Sequence, residues 1–364
     1  MVTPLEIAGR RIGPDEPCFV IAEAGVNHGG DLDLARRLVD AAAEAGADAV
    51  KFQTFAADEL ATPQAPKAAY QMRTTDARET QLDMLRRLQL SREAHHALIA
   101  HCAERGILFL SSVFDEGSAE LLEELGVPAF KIPSGELTNP ALLCRLAAKG
   151  RPVILSTGMA TLDEVSAAVA TLGGGRCPPV VLLHCVSSYP ADPSDVNLRA
   201  MSTMQASFGV PVGYSDHTLG LAIALAAVTL GACVLEKHLT LDRRLPGPDH
   251  AASLEPNEFA VLVRSLRSVE GALGHGRKEP SVHEVEIART VRKSLVAARD
   301  IPAGTKLTEE LVVVRRPGTG LPPSVRADIL GWTTTRGLAA GTPIQLEHLV
   351  AVAPAETRAH TYHC

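Results

Sequence analysis

Eight short apolar runs of this 364-residue sequence end in polar side chains of the types that bind ligands or do chemistry. The run from Pro211 to His217, for example, passes directly from apolar residues to Ser215, Asp216 and His217. A serine or histidine at the end of one strand is usually an ordinary turn residue. Eight such endings in one chain are not explained in that way, and they indicate one shared binding or catalytic site.

Two lysines lie inside such apolar runs, Lys51 in DAVKFQTF and Lys131 in AFKIPSG. A buried ammonium group without a partner is costly, so each needs a carboxylate or a bound anion. One interpretation is a lysine that forms a Schiff base. The other is a pair of cations that bind a phosphate and a carboxylate, helped by serine hydroxyls and backbone N–H groups. The neighbouring Ser and Gly residues favour the second interpretation.

Two histidines, His217 and His238, close neighbouring runs. Adjacent strands lie about 4.8 Å apart, so two imidazoles at their ends can share a metal ion. Two histidines without a carboxylate between them are a sparse ligand set, and spacing alone does not establish the metal. Water and substrate would fill the other positions of such an ion, which suits a Lewis acid that polarises a carbonyl group.

The remaining histidines carry weaker signals. His95, His96 and His101 lie on one helical segment, which predicts a solvent-exposed face. His28, in NHGGD, is expected to hold a turn or to line the site.

Helical segments alternate with the apolar runs and must position their polar ends. DLDLARRLVDAAAEAG predicts a helix with Asp31 as its N-cap, apolar residues at Leu34, Leu38 and Ala42, and Gly46 as its stop. Regular β–α alternation requires parallel strands with helices outside, and eight units over about 250 residues match a (β/α)8 TIM barrel. A doubly wound open sheet is the alternative, but no GxGxxG follows the first strand.

The long connection between Ala56 and Leu90 is helical in part and predicts a lid or an extra helix.

A barrel gathers its functional groups at the carboxyl ends of its strands. Side chains two residues apart on a strand share a face, which gives the mouth a definite set of candidates. They are Glu23, Lys51, Gln53, Ser112, Lys131, Ser156, Ser187, Tyr189, Ser215, His217, Glu236 and His238.

Composition excludes several classes of function. The net charge of -7 and the pI of about 6.0 argue against a nucleic-acid or anionic-lipid surface. The N-terminus has no signal-peptide core, and no run has the length of a membrane span. Seven cysteines occur without CxxC spacing. They predict reduced thiols, five of them (Cys18, Cys102, Cys144, Cys185 and Cys233) in the core, and a cytoplasmic protein.

The chain divides into a barrel over residues 1–275, a charged linker over 276–292, a small domain over 293–352 and a tail over 353–364. The small domain contains a near-repeat, DIPAGTKLTEELVV and GLAAGTPIQLEHLV, which predicts two hairpin-like units with pseudo-twofold symmetry. Between the copies lies a Gly/Pro-rich loop, VVRRPGTGLPP, which carries Arg316.

Eight motifs occur in the order EAGVNHGG, KFQTF, KIPSGE, LSTGM, LHCVSSYP, GYSDHT, LEKHLTLD and PGPDH. They resemble the sialic acid synthase family over nearly the whole chain, and the C-terminal part is similar to its antifreeze-like SAF domain, a β-clip fold. The resemblance implies an enzyme that condenses phosphoenolpyruvate with an N-acylated amino sugar, giving a nine-carbon 2-keto-3-deoxy acid and phosphate. The acceptor stays open between N-acetylmannosamine, its 6-phosphate and a 2,4-diacetamido-6-deoxy sugar, the last giving legionaminate- or pseudaminate-type products.

The resemblance also implies roles for single residues. It makes His217 and His238 ligands of a divalent metal, typically Mn²⁺, with Mg²⁺ or Co²⁺ as alternatives. The positions that match phosphoenolpyruvate-binding residues are Lys51, Ser112, Lys131, Ser134, Ser156 and Ser215. Ser187 stands where some members carry an asparagine, and its hydroxyl can still donate a hydrogen bond.

On the sugar side, the resemblance implies that Glu23, Gln53, Tyr189 and Asp249 face the acceptor. Glu23 is the candidate for moving protons, together with Asp249, because burial raises the pKa of a carboxyl group. Arg316 matches an arginine that reaches the N-acyl group from the SAF domain of the other subunit. A domain-swapped homodimer is therefore expected, with small-molecule substrates and no nucleic-acid or membrane partner.

Two other functions stay open at this point. The first is a Schiff-base aldolase, a lyase that would use Lys51 or Lys131. The second is a non-enzymatic barrel that binds a sugar.

Overall fold

A computed structural model describes residues 2–76, 78–173 and 178–351 of the chain. The chain forms two compact units, Met1–Gly274 and His275–Cys364. The predicted tail, 353–364, lies outside the described residues.

The first unit begins with an antiparallel hairpin, β1 (Leu5–Ile7) and β2 (Arg10–Ile12), and continues into a closed barrel of eight parallel strands. The barrel strands are β3 (Phe19–Gly25), β4 (Ala49–Thr54), β5 (Leu108–Val113), β6 (Phe130–Ile132), β7 (Val153–Ser156), β8 (Val180–Cys185), β9 (Val212–Asp216) and β10 (Val234–His238). Each strand pairs with the next along the chain, and β10 closes the ring by pairing with β3. The predicted (β/α)8 barrel is confirmed.

In the described part of the first unit, eleven α-helices follow or connect these strands. They are α1 (Leu32–Glu44), α2 (Ala57–Leu60), α3 (Ala69–Thr74), α4 (Gln81–Leu88), α5 (Arg92–Arg105), α6 (Glu116–Glu124), α7 (Pro140–Lys149), α8 (Leu162–Gly173), α9 (Ala200–Phe208), α10 (Ala222–Thr229) and α11 (Pro256–Leu273). The Asp31 carboxylate caps α1 by accepting hydrogen bonds from the N–H groups of Asp33 and Leu34, as predicted. The long connection between β4 and α5 holds three short helices, α2 to α4.

Two apolar layers position the polar mouth. The outer layer packs helices against the barrel wall. The inner layer fills the amino-terminal half of the barrel, where Ile7 and Ile12 of the hairpin pack with Phe19 and Ile21 of β3. The amino-terminal end is thus closed by apolar side chains, and the polar strand ends are left to the carboxyl end of the barrel.

One sequence-based expectation about the helices is wrong. His95 of α5 is fully buried, whereas His96 is exposed. The His95 ring lies 2.8 Å from Thr54 Oγ1 and 2.8 Å from the Ser91 carbonyl oxygen. The helical pattern did not reveal that β4 turns a polar residue outward toward this helix. Cys144 also differs from expectation because it is exposed, while the other four described free thiols are buried.

The second unit contains α12 (Val282–Val291), β11 (Ser294–Ala297), β12 (Val312–Arg315), α13 (Arg326–Ile329), β13 (Thr333–Thr334) and β14 (Leu349–Val350). β11 pairs with β12 and β13 with β14, both antiparallel. Ile301 and Leu338, which occupy equivalent positions of the repeat, exchange both backbone hydrogen bonds at 2.8 Å. This exchange is the pseudo-twofold relation that the repeat predicts. The segment predicted as a linker includes α12.

In the described parts of both units, every helix is too short or too polar to cross a membrane.

Candidate active site

A cavity of about 420 Å³ opens at the carboxyl ends of the barrel strands. All the candidate residues that lie in the first unit line it. They are Glu23, Lys51, Gln53, Ser112, Lys131, Ser134, Ser156, Ser187, Tyr189, Ser215, His217, Glu236, His238 and Asp249. The remaining candidate, Arg316, is exposed in the second unit, directly after β12.

Lys51 forms the first buried charge cluster of the cavity. Its Nζ atom lies 2.6 Å from Glu23 Oε2 and donates a hydrogen bond of 2.8 Å to Ser112 Oγ. Burial disfavours the charged ammonium, but the carboxylates of Glu23 and Glu236 outweigh it, and the pKa of Lys51 is raised. Lys51 is therefore a permanent cation at the base of the cavity.

Lys131 faces the same space from β6. Its Nζ donates a hydrogen bond of 2.7 Å to Ser156 Oγ, and it lies 3.9 Å from Glu236 Oε1. Burial lowers the pKa of Lys131, while Glu236 opposes this effect. An incoming anion would supply the partner that this ammonium group lacks at close range.

Glu236 lies between the two lysines and had no role assigned from sequence. Its Oε2 is 3.8 Å from Lys51 Nζ, and its Oε1 accepts a hydrogen bond of 2.9 Å from Ser215 Oγ. Burial raises the pKa of Glu236, but the two lysines outweigh burial and lower it. Sequence placed Glu236 at the barrel mouth without a role, and the signal that could have assigned one was the charge balance of two buried lysines.

Two other buried carboxyl groups have pKa values raised toward neutrality. Burial raises the pKa of Glu23 to about 7, with Glu236 adding to the effect and Lys51 opposing it. Burial raises the pKa of Asp249 to about 6, and Lys51 again opposes it. Carboxyl groups in this range can both hold and release a proton at neutral pH, which is the property of a general acid or base.

The two candidate metal ligands lie side by side, with ring centroids 5.5 Å apart. His217 Nδ1 is 2.6 Å from the Val186 carbonyl oxygen. Because a carbonyl can only accept, Nδ1 carries the proton and Nε2 carries a lone pair. Ser215 Oγ lies 3.5 Å from Nε2 but donates its proton to Glu236, so this lone pair stays available. Burial lowers the pKa of both histidines, so both are neutral, the form that binds metal ions.

A divalent cation fits this pair. His238 Nδ1 is buried and has no hydrogen-bond partner among the described residues. Those residues contain no group of three or more His, Cys, Asp or Glu arranged to hold an ion. The protein thus offers two imidazoles, and an ion bound there keeps positions open for water and substrate.

Tyr189 connects this histidine pair with the long connection after β4. Its ring centroid lies 4.3 Å from that of His217 and 5.8 Å from that of His238. Tyr70 of α3 packs against Tyr189, with ring centroids 5.0 Å apart. Sequence reasoning missed Tyr70, and no motif around it marked it as part of the cavity.

Ser134 and Gly158 form a narrow cradle on the far side of Lys131. Ser134 Oγ accepts a hydrogen bond of 2.9 Å from the Gly158 N–H. A Cβ atom at position 158 would come within 2.8 Å of Ser134 Oγ and closer still to Ser187 Oγ. Only glycine fits there, and its absence of a side chain leaves the two hydroxyls free to face an anion.

The outer part of the cavity is lined largely by apolar side chains. α2, α4 and the turn after α2 contribute an apolar wall of Leu60, Ala61, Met84, Leu85 and Leu88. Among the described lining residues, Lys51 and Lys131 are the only Lys or Arg side chains. The wall is suited to an uncharged ligand that carries methyl groups.

Comparison with known proteins gives two family matches. The model of the NeuB family matches residues 38–278, and that of the SAF domain matches residues 292–350. An N,N'-diacetyllegionaminic acid synthase from Legionella pneumophila is 49% identical over 93% of this chain and 96% of its own length. A synthase of the same name from Campylobacter jejuni is 47% identical over 87% of this chain and 96% of its own length. The human N-acetylneuraminate-9-phosphate synthase is 42% identical over 90% of this chain and 92% of its own.

Solved structures agree with these matches. The N-acetylneuraminic acid synthetase of Leptospira borgpetersenii superposes with a TM-score of 0.70 at 38% identity, covering 79% of this chain and 95% of that one. The spore coat polysaccharide biosynthesis protein SpsE of Bacillus subtilis gives a TM-score of 0.66 at 34% identity, covering 96% of this chain and 100% of that one.

Proposed function

The chain belongs to the NeuB family, and from this premise we propose that its barrel condenses phosphoenolpyruvate with an N-acylated amino sugar. The products are a nine-carbon 2-keto-3-deoxy sugar acid and inorganic phosphate. The observation that carries the proposal is the pair of buried ammonium groups, Lys51 and Lys131, in a cavity rich in serine hydroxyls. A phosphate and a carboxylate on one small molecule are the ligand that such a pair fits.

The reaction needs no protein nucleophile. C3 of phosphoenolpyruvate forms a bond to the aldehyde carbon of the open-chain sugar, and the aldehyde oxygen takes up a proton. Water adds to C2 and gives up one proton, which balances the proton taken up by the aldehyde oxygen. The hydroxyl formed at C2 then passes its proton to the phosphate as the bond between C2 and the phosphate oxygen breaks. Phosphate leaves, and C2 becomes the keto carbon of the product.

Residues at the base of the cavity stabilise the negative charges of phosphoenolpyruvate. Lys51 and Lys131 neutralise the phosphate and carboxylate of phosphoenolpyruvate, with hydroxyls of Ser112, Ser134 and Ser156 as donors. Ser187 and Ser215 are the further hydroxyls proposed for this role.

Glu23 is the proposed proton carrier. A bound anion competes with Glu23 for Lys51, and a carboxyl group with a pKa of about 7 can then carry the proton that the sugar oxygen needs. Asp249, Gln53 and Tyr189 are proposed to orient the acceptor.

His217 and His238 are the proposed ligands of a divalent metal ion, with Mn²⁺ first and Mg²⁺ or Co²⁺ as alternatives. When bound, such an ion polarises the aldehyde carbonyl of the acceptor. The neutral state of both imidazoles and the hydrogen bond between His217 and Val186 support this assignment.

The proposed acceptor is a 2,4-diacetamido-6-deoxyhexose. Two relatives above 45% identity are named N,N'-diacetyllegionaminic acid synthase. The apolar wall on α2 and α4 matches the C6 methyl and acetamido methyl groups of such a sugar. A 6-phosphate would need a further cation, since both described lysines of the cavity are assigned to phosphoenolpyruvate. N-acetylmannosamine is the second candidate.

Assembly as a domain-swapped homodimer, with Arg316 delivered to the partner's barrel, stays a prediction from the family. Cytoplasmic location stays a prediction as well, supported by the five described free thiols.

Phosphate release tests the proposal directly. Purified protein with phosphoenolpyruvate and Mn²⁺ is assayed against a panel of N-acyl hexosamines, and we expect phosphate only with an acceptor, fastest with the diacetamido-6-deoxyhexose. No release with any acceptor would contradict the proposal. Trapping of pyruvate on Lys51 or Lys131 by borohydride would instead identify a Schiff-base lyase.

A further inference from the structure

A buried ion pair joins the two strands that lead to His217 and His238. Lys237 Nζ lies 2.7 Å from Asp216 Oδ2, and both side chains are 0% exposed. The two residues are direct register partners on β9 and β10. Each stands one residue before a candidate metal ligand, and neither lines the cavity.

The same pair organises the turn around His217. Asp216 Oδ1 accepts hydrogen bonds from the Thr218 N–H at 2.9 Å and from the Thr218 hydroxyl at 2.8 Å. Lys237 Nζ also donates to the Thr218 carbonyl oxygen. The residues on both sides of His217 are therefore fixed to β10, directly before His238.

Side-chain alternation explains why the ion pair lies behind the histidines. Ser215 and His217 of β9 face the cavity, and so do Glu236 and His238 of β10. Asp216 and Lys237 point the other way, into the wall between barrel and helices, where Tyr214 donates a hydrogen bond to Asp216. The pair therefore cannot contact a substrate in the cavity.

Stability alone does not explain a charged pair in this place. Moving two charges from water into a protein interior costs about as much free energy as their attraction returns. Apolar residues of similar size at such a place often give equal or greater stability. The layer between the barrel and the helices is otherwise mainly apolar, and Leu235 and Ala227 are fully buried in it. A residue pair kept here for packing would be expected to be apolar too.

The surroundings of the His238 ring indicate a role for the ion pair of Lys237 and Asp216. His217 is oriented by its bond to Val186, whereas no described residue forms a hydrogen bond with the His238 ring. The position of the His238 ring therefore depends on its backbone and on packing. Besides backbone pairing, the link between Lys237 and Asp216 joins the residue before His238 to the residue before His217.

We propose that Lys237 and Asp216 are positioning residues that hold His217 and His238 at the separation required to share one divalent metal ion. This inference rests on the proposed metal site. It assigns the ion pair a role in metal affinity and leaves the chemistry to the residues in the cavity.

The test measures Mn²⁺ binding to the purified full-length protein by titration calorimetry, alongside thermal unfolding of the metal-free protein. The main variant is the double substitution Asp216→Leu with Lys237→Met, which replaces the pair by apolar residues of similar size. We expect it to fold and to bind Mn²⁺ about tenfold more weakly or worse, the range seen when residues supporting metal ligands are changed. Saturating Mn²⁺ should restore much of its turnover.

Two further variants make the result decisive. Thr54→Val removes buried hydrogen bonds to His95 and Ser111 on α5 and β5, outside the β9–β10 pair, and it should leave the Kd for Mn²⁺ unchanged even if it lowers the unfolding temperature. Asp216→Asn removes one charge while its amide oxygen can still accept from Thr218, and it should weaken Mn²⁺ binding to an intermediate degree.

The outcomes separate the two proposals. A folded double variant with the wild-type Kd for Mn²⁺ overturns the positioning role, and so does failure of both Asp216 variants to fold, since the pair would then be a folding determinant. If the wild-type protein binds no Mn²⁺, or binds it equally well after His217→Ala, the metal site itself is wrong.

Discussion

The ammonium group of Lys51 and the carboxylate of Glu23 lie 2.6 Å apart at the base of the barrel mouth, and each side chain is only 3% exposed. So close a cation would normally hold the pKa of a carboxyl group low. Here burial is the larger effect, and the pKa of Glu23 stands at about 7. The pair therefore combines a fixed positive charge with a group that can change its protonation state at neutral pH.

Glu23→Gln should separate these two properties. The amide keeps the shape of the side chain and cannot carry the proton, so we expect kcat to fall by about 10² to 10⁴. The KM for phosphoenolpyruvate should stay the same or decrease, because Lys51 loses a competing carboxylate. Steady-state phosphate release measures both constants. Glu44→Gln, an exposed change on α1, is the control, and an equal loss there would mean that the effect is not specific.

Lys131→Met should act on phosphoenolpyruvate binding. The ammonium group has no carboxylate closer than 3.9 Å, so its main favourable partner is the bound anion. Loss of a buried charge-assisted contact is worth about 2–3 kcal/mol, which corresponds to an increase of roughly 30- to 150-fold in the KM for phosphoenolpyruvate. The KM for the acceptor sugar should change little. Lys278→Met, at an exposed position, serves as the matched control, and a pure kcat effect of Lys131→Met would argue against the assignment.

The barrel was predictable from sequence because each of its strands and helices has a residue pattern within its own segment of the chain. Strands buried on both faces appear as continuous apolar runs such as VVLLHC, and helices between them carry one apolar stripe. The candidate site followed from the same pattern, because strand ends converge whatever the detailed packing is. Lys51 and His217 needed only their place on a strand to be assigned to the mouth.

Cross-strand relations could not be predicted in this way. Glu236 gains its role from lying between two lysines on other strands, and Tyr70 gains its role from packing on Tyr189. His95 was misplaced because its side-chain partner, Thr54, belongs to a strand 41 residues away in the chain. These features depend on distances between elements, which the order of residues does not contain.

Gly158→Ala should damage the anion cradle without damaging the fold. The added Cβ would lie within 3 Å of the hydroxyl oxygens of Ser134 and Ser187, so at least one must move. We expect the KM for phosphoenolpyruvate to rise about tenfold or more, as for loss of about 1.4 kcal/mol of binding. Gly271→Ala in α11 is the control because its Cβ meets no atom within 4 Å. That variant should keep the wild-type KM and gain about 0.5–1 kcal/mol of stability.

Acid should destabilise the metal-free protein through its buried histidines, His28 and His250 among them. Burial lowers the pKa of His28 and of His250 from 6.5 to about 4. Since the unfolded chain binds the proton more readily, their contribution to stability is complete above pH 6.5 and is lost as the pH falls toward 4. By pH 5.5 we expect a loss of about 1 kcal/mol for each histidine.

Urea unfolding at pH 7.5 and pH 5.5 measures this loss, with His28→Asn as the diagnostic variant. His28 Nδ1 accepts a hydrogen bond from the Gly30 N–H, and an asparagine oxygen can replace it. The variant should lose about 1 kcal/mol less than the wild type between the two pH values. His96→Asn, at an exposed position of α5, should behave as the wild type does, and an identical loss in His28→Asn would exclude His28 as a source.

Leu85→Gln should weaken recognition of the acceptor and leave phosphoenolpyruvate unaffected. Leu85 belongs to the apolar wall on α4 and lines the cavity together with Met84 and Leu88. A methyl group bound in an apolar pocket contributes about 1–3 kcal/mol to discrimination. We therefore expect kcat/KM for a 6-deoxy acceptor to fall at least tenfold, while kcat/KM for its 6-hydroxy analogue falls less. The ratio of the two acceptors measures the effect independently of enzyme concentration. Leu273→Gln, exposed at the end of α11, is the control and should leave this ratio unchanged. An unchanged ratio in Leu85→Gln would show that the apolar wall does not contribute to acceptor specificity.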